Sequence, residues 1–502
     1  MLNFGMIAAG FASVMTLQGL FYIALGTFVG IIFGAVPGLS GSVAIALFIP
    51  VTYTLEPNIS IALIMGLMMG GVSGGLISAI LLNIPGTAAS FGTTFDGHPM
   101  AMRGEAGKAL GTGIVFSFIG GLLSMFCLIL IAPTMAKFAL KFGTWEYFTI
   151  AVFALTMVAS LSGKNMVKGL ISGCFGFVIA MVGIAPVDFT PRFTFGVTEL
   201  QGGFALISVL TGSFALGEVM KNAKKSRDTT KVEVSSYKIK GFGFSMKEFI
   251  TQLPNCIRSA IIGIVVGIIP GTGGDVASYV SHNTGRMFSK EEDFGHGARE
   301  GVACCEAANN AVTGGTLIPT LTLGVPGNAT TAVLLSGLTI HGLTPGYGLF
   351  TTEKQITYPF ICALFIANLM MVLIGMFGAK HFAKVTLTPK NILSAFVLSL
   401  SIMGTYAVRG NLRDVVVMLV FGVIGYILKL YKYNVVPIVL GLILGPIAEA
   451  GLSQALLLNS NSLSATLGTL FVRPICVVLM ILMVISVCAP FIMEARKGKQ
   501  SK

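Results

Sequence analysis

Charge is the scarcest commodity in this sequence. Asp, Glu, Lys and Arg together make up 10% of 502 residues, whereas a soluble domain carries about 25%. A chain of this length with so few charges cannot cover a water-facing surface, which excludes a cytosolic enzyme, a disordered scaffold and a nucleic-acid binder. No CxxC pair occurs among the eight cysteines. Cys304 and Cys305 are adjacent, an arrangement that suits neither a metal site nor an ordinary disulfide. HExxH is absent, and His98 and His341 lack ligand-spaced partners, so both read as turn residues. The start of the chain lacks the basic residues and small-residue cleavage pattern of a removable signal, so it is expected to be retained. No Lys or Arg precedes Arg103.

What is present is apolar. Hydrophobic residues make up 54%, and they fall in continuous runs rather than in the alternation of an outer-membrane barrel. A helix crossing a bilayer needs about 20 mostly apolar residues, which leaves room for roughly 12 segments. The fold class expected is an all-α polytopic membrane protein. Its basic residues cluster: 221–247 holds eight Lys or Arg against two acids, and the tail from Glu494 holds four more. Basic loops flanked by spans mark the cytoplasmic side. The expected division is a first half over 1–220, a basic cytoplasmic loop over 221–249, a second half over 250–460, and a terminal helix with a basic tail over 461–502.

An internal repeat organises the halves. Gly30, Gly34, Pro37, Gly38 and Gly41 recur as Gly263, Gly267, Pro270, Gly271 and Gly274, each shifted by 233 residues. Ile84-Pro85-Gly86-Thr87-Ala88 recurs as Val325-Pro326-Gly327-Asn328-Ala329, and each block follows a double glycine, Gly74-Gly75 and Gly314-Gly315. Arg103 and Lys108 follow the first-half break, while 340–352 after its counterpart holds no basic residue. That bias predicts two inverted repeats with broken helices or re-entrant hairpins.

Pro-Gly inside an apolar run interrupts a helix, because proline lacks the donor and glycine allows other dihedrals. Freed backbone groups in lipid are costly unless buried in protein or wetted. The four breaks are therefore expected to meet at one polar cavity. Helix N-termini there suit carboxylates, and unwound carbonyls suit a cation. The candidate substrate ligands are Asn83, Pro85, Gly86, Thr87, Ala88 and Ser90 from the first half. From the second come Asn309, Asn310, Pro326, Gly327, Asn328 and Thr330, with Thr313 nearby. The candidate coupling-ion residues are Gly38, Ser40, Ser42, Gly271, Thr272, Asp275 and Glu306. Ser, Thr and Asn also join helices to one another in lipid; clustering beside repeated breaks favours the binding role.

The blocks Pro37-Gly38-Leu39, Asn83-Ile84-Pro85-Gly86 and Asp96-Gly97-His98-Pro99-Met100-Ala101 resemble the large membrane subunit of tripartite tricarboxylate transporters. So do Glu306-Ala307-Ala308-Asn309-Asn310 and the run from Gly314 to Gly324, and the resemblance covers nearly the whole chain. Met68, Met69, Thr87 and Asp275 depart from the pattern. The resemblance implies carboxylate uptake across a bacterial inner membrane, driven by a Na⁺ or H⁺ gradient. It also implies two partners, a periplasmic substrate-binding protein and a small four-helix membrane subunit. No cofactor beyond the coupling ion and no enzymatic activity are expected. The alternatives are a stand-alone ion-coupled anion transporter and an intramembrane enzyme, for which Asp275 and Glu306 are the only credible acid pair.

Overall fold

The computed structural model describes residues 4–37, 39–160, 166–185, 189–217, 219–220, 245–289, 293–385, 390–485 and 488. The first half contains α1 (Phe4–Val14), α2 (Leu17–Ala35), α3 (Gly41–Thr52), α4 (Pro57–Leu82), α5 (Phe91–Met100), α6 (Ala106–Ala139), α7 (Thr144–Ser160), α8 (Met166–Ala180) and α9 (Leu206–Leu210). A two-stranded antiparallel ladder, β1 (Gly183–Ile184) with β2 (Pro191–Arg192), interrupts the otherwise helical chain. The second half contains α10 (Met246–Ile268), α11 (Gly274–Phe288), α12 (Arg299–Leu323), α13 (Ala329–Ile340), α14 (Tyr347–Thr351), α15 (Lys354–Val385), α16 (Lys390–Arg409), α17 (Leu412–Leu430), α18 (Val436–Leu458) and α19 (Leu463–Val472). Of the predicted loop at 221–249, only its last residues lie within the described residues.

Six of the described helices are long and apolar enough to cross a membrane, or seven if the bent pair Leu463–Val472 and Pro474–Ile485, at 89°, is one span. The sequence reading expects roughly 12 crossing segments; beside these six or seven, the described residues form short apolar helices such as α3 and α13, 12 residues each. The shortness follows from the breaks, which cut apolar runs into arms.

The helices that lead into the breaks pack on one another in the same way in both halves. α2 lies on α4, and a Cβ on Gly30 would sit 2.5 Å from the Leu67 carbonyl, one on Gly34 the same distance from that of Gly71. α10 lies on α12, where Gly263 meets Ala308 and Gly267 meets Val312. Apolar side chains gain nothing by leaving lipid for one another, so small residues that let backbones approach decide such pairings. The paired numbers rise together, so the two helices of each pair run parallel. The register also refines the repeat. Gly74 abuts Ile31 and Gly315 abuts Ile264, so Gly74 corresponds to Gly315, one residue on from where the double glycines alone would align it.

α4 and α12 form the centre. α4 is 94% buried along its apolar window, as expected of a helix apolar on every side. Val72 and Ser73 lie opposite Asn309 and Asn310. Ile80, near the end of α4, packs on Gly97 of α5, while Gly301, near the start of α12, packs on Asp96 of the same helix. α4 and α12 therefore run antiparallel. The outer helices α16 and α17 leave apolar side chains such as Phe396, Met403, Val416 and Val420 exposed, the pattern of a lipid-facing surface.

Candidate functional site

Each break is built by local chemistry. α4 ends at Asn83 in the left-handed region (φ 55°), whose N–H donates to the Ser78 carbonyl. α12 ends at Gly324 (φ 69°), which donates to Thr320 at 3.2 Å. Asn and Gly tolerate that conformation best. The chain then doubles back along the helix it has left. Gly86 N–H donates to Gly75 at 3.4 Å and Val325 N–H to Pro319 at 3.3 Å. Gly271 N–H donates to the Gly327 carbonyl at 2.6 Å, tying the third break to the fourth.

New helices start where the chain turns. Ser40 caps α3, its Oγ accepting from Val43 N–H at 3.3 Å and pairing with Ser42 Oγ at 2.8 Å. Asn328 caps α13: its Oδ1 accepts from Thr331 N–H at 2.9 Å, and Thr331 Oγ1 accepts from Asn328 N–H at 3.0 Å. α11 begins after Gly273 without a side-chain cap, with Asp275 in its first turn. The 3-10 turn Ala88–Ser90 leads into α5. The four starts surround one cavity of about 360 Å³. First-turn amides such as those of Gly41, Ser42, Gly274, Ala329 and Thr330 have no carbonyl one turn back within their helices. Each N-terminus contributes roughly half a positive charge.

From this cavity the arms leave in two pairs, each with one arm from either half. α3 and α13 meet at their far ends, where His341 Nε2 lies 3.0 Å from Thr52 Oγ1. α5 and α11 meet where His282 Nε2 lies 2.8 Å from Asp96 Oδ2. Asp96 is fully buried, and its other oxygen accepts N–H groups from Gly295, Gly297 and Ala298 at 2.8–2.9 Å. His341, which the sequence places in a turn, thus bridges arms from different halves, and so do His282 and Asp96. His98 Nδ1 lies 3.0 Å from the Ile80 carbonyl, within its own half.

The structure brings nine of the candidate residues to the cavity wall: Ser40, Ser42, Thr87, Ala88, Gly271, Asp275, Asn309, Asn328 and Thr330. The others stand behind it. Asn83 is exposed at its helix end, and Pro85, Gly86, Pro326 and Gly327 shape the turns. Ser90 is buried and supports Thr87, their hydroxyls 3.0 Å apart. Thr272 Oγ1 donates to the Ile269 carbonyl at 2.8 Å, closing the end of α10. Asn310 faces Ser73, whose Oγ donates to its Oδ1 at 2.9 Å. Glu306 is sealed one turn before Asn309, receiving hydrogen bonds from Thr93 at 2.5 Å and Ser117 at 3.2 Å. Gly38 lies outside the described residues.

Thr313 also lines the cavity, and so do Met68, Gly71, Val72, Asn434 and Val436. Asn434 had no Pro-Gly neighbour to mark it; its signal was a lone amide between two apolar helices. Asp275 is the only charged residue among the described lining residues, which include no Lys, Arg or His. The site can therefore hold a small anion through backbone amides and hydroxyls, and a cation through Asp275 and neighbouring oxygens.

The profile of the tripartite tricarboxylate transporter TctA family matches residues 20–440. An uncharacterized 52.8 kDa protein in the TAR-I ttuC' 3'region of Agrobacterium vitis is 32% identical over 454 residues, covering 90% of each chain. A second protein of that organism, uncharacterized and in the TAR-II ttuC' 3'region, is 31% identical over 229 residues, covering 44% of this chain and 94% of its own length. No solved structure matches.

Proposed function

The chain belongs to the tripartite tricarboxylate transporter TctA family, and from that premise we propose that it is the large membrane subunit through which a tricarboxylate or related carboxylate enters a bacterial cell. It is a multi-pass membrane protein of a transporter family. The inner membrane is its proposed location, and a Na⁺ or H⁺ gradient its proposed drive. A periplasmic binding protein delivers the ligand, and a small four-helix subunit completes the complex.

One observation carries the reading: four helix N-termini, two from each half, open on one cavity whose described lining residues include no basic side chain. Backbone amides and hydroxyls there are suited to carboxylate oxygens. Thr87, Ala88, Asn309, Asn328 and Thr330 form the proposed substrate face; Ser40, Ser42, Gly271 and Asp275 form the cation face. The antiparallel course of α4 and α12 supports reading the halves as inverted repeats, whose exchange of conformations gives alternating access. The division into halves at the basic loop rests on the same ground.

The test is uptake at equal membrane expression. Asn328→Ala removes the cap of α13 and a cavity amide, and Thr330→Val removes a hydroxyl without changing shape. Both are expected to cut carboxylate uptake at least tenfold. Full uptake in both variants would remove this cavity as the binding site.

A further inference from the structure

Away from the central cavity, a groove between α6 and α15 joins an apolar slot to a basic mouth. The slot, about 400 Å³, lies under α1 and is walled by Met125 and Ile129, by Ile361 and Phe365, and by Ile7 and Phe11. Its described lining is apolar apart from Tyr358 and Cys362, and the Cys362 thiol donates to the Ile7 carbonyl at 3.6 Å. Phe126 and Leu130, 55% and 61% exposed, stand at its edge. Ile129, Leu130, Tyr358 and Ile361 also line a wider mouth of about 970 Å³. There Lys137 and Lys354 accompany Thr134, Tyr347 and Thr351, and the described lining residues include no acid. Neither lysine joins an ion pair among the described residues.

The groove has the depth of one leaflet. Asn368 donates to the Phe118 carbonyl at 3.0 Å, and a Cβ on Gly375 would meet Ile114, so α6 and α15 run antiparallel and bring both lysines to one end. At the other end of α6, Lys108 pairs with Glu248 in the first turn of α10, beside the basic loop. From Lys108 to Lys137 the helix rises about 43 Å, about the full thickness of a bilayer with its headgroups. The two lysines therefore stand at headgroup level in the leaflet opposite that loop. From Lys354 down to Phe365 the rise is about 16 Å, close to half of the roughly 30 Å hydrocarbon core. Over Tyr358 to Phe365, about 10 Å of helix, the slot has a mean cross-section of about 40 Å². A helix with its side chains needs about 80 Å², so the slot is too narrow for a partner's helix and suits a hydrocarbon chain.

We infer that this groove is a binding site for an anionic phospholipid of the leaflet opposite the basic loop. One acyl chain fills the slot between α6, α15 and α1, and the phosphate lies between Lys137 and Lys354. Basic pockets between membrane helices bind acidic headgroups in this way. The bound lipid supplies the packing that α1, with no charged residue of its own, lacks on that side.

The experiment is lipid binding to the purified, delipidated full chain, read by native mass spectrometry and by thermal midpoint. The probes are dioleoylphosphatidylglycerol, dioleoylphosphatidylcholine and glycerol phosphate. Phosphatidylglycerol is expected to bind roughly thirtyfold more tightly than phosphatidylcholine, since each lysine near an anionic head contributes about a factor of five. Lys137→Gln combined with Lys354→Gln should abolish that preference, and Ile361→Trp, which fills the slot, should weaken both lipids. Equal binding of the two lipids overturns the inference, and so does an unchanged preference in the double variant. Glycerol phosphate bound as tightly as the lipid also overturns it, because the lysines would then take a free phosphate. Should the double variant not fold, Lys137→Gln alone is expected to lose about fivefold, and no loss overturns the inference. In the assembled complex, a cross-link from Phe126→Cys to the small subunit with no phosphatidylglycerol retained would give the groove to a protein partner and overturn it as well.

Discussion

Removing the Asp96 carboxylate is expected to be the most damaging single change outside the cavity. Three backbone N–H groups converge on one of its oxygens and His282 on the other. The bonds from Gly297 and Ala298 are buried. In Asp96→Ala these two amides lose their acceptor with no solvent at hand, at about 1–3 kcal/mol each. The loss of the charged acceptor and of the His282 contact brings the expected total to about 3–5 kcal/mol, the range for breaking a buried charged network. Asp96→Asn keeps an oxygen for the three amides and gives up the charge, so about 1–2 kcal/mol is expected, because charge-assisted bonds are roughly twice as strong as neutral ones. Thermal or denaturant midpoints of the purified protein, read with a ligand-independent probe, should rank the natural chain above Asp96→Asn and that above Asp96→Ala. Equal midpoints for the two variants, or an Asp96→Ala loss under about 1 kcal/mol, would refute the idea that this carboxylate holds the α11–α12 connection.

Further outcomes follow from the same contacts. Gly30→Leu and Gly263→Leu should destabilise alike, by upwards of about 1–3 kcal/mol, because each forces a side chain against a facing carbonyl; a midpoint change in one alone would break the correspondence of the halves. Asn83→Gly should leave both uptake and stability within about 0.5 kcal/mol of the natural chain, since the left-handed helix end suits glycine and the side chain is outside the cavity. Uptake by the chain reconstituted alone, with no soluble or membrane partner, should be negligible; full uptake would favour the stand-alone anion transporter.

The four Pro-Gly breaks were legible because proline and glycine act on the backbone at their own positions, whatever the surroundings. Their meeting at one cavity followed from the cost of unpaired backbone in lipid. Glu306 shows where sequence reasoning ran short. On a helix it shares a face with Asn309, Asn310 and Thr313, but three residues amount to about 4.5 Å of depth. At that depth Thr93 and Ser117, from elements distant in the chain, close over it. Asp96, His282 and His341 were unreadable as bridges for the same reason: their partners are chosen by tertiary packing between halves. The pairing of Gly74 with Gly315 has the same offset as that of Pro85 with Pro326, and the backbone contacts agree with it.

The mixed ancestry of the arm pairs has a mechanical consequence. α3 of the first half is fastened to α13 of the second, and α5 of the first to α11 of the second. Parting the chain at its midpoint would therefore break both contacts, His341 with Thr52 and His282 with Asp96.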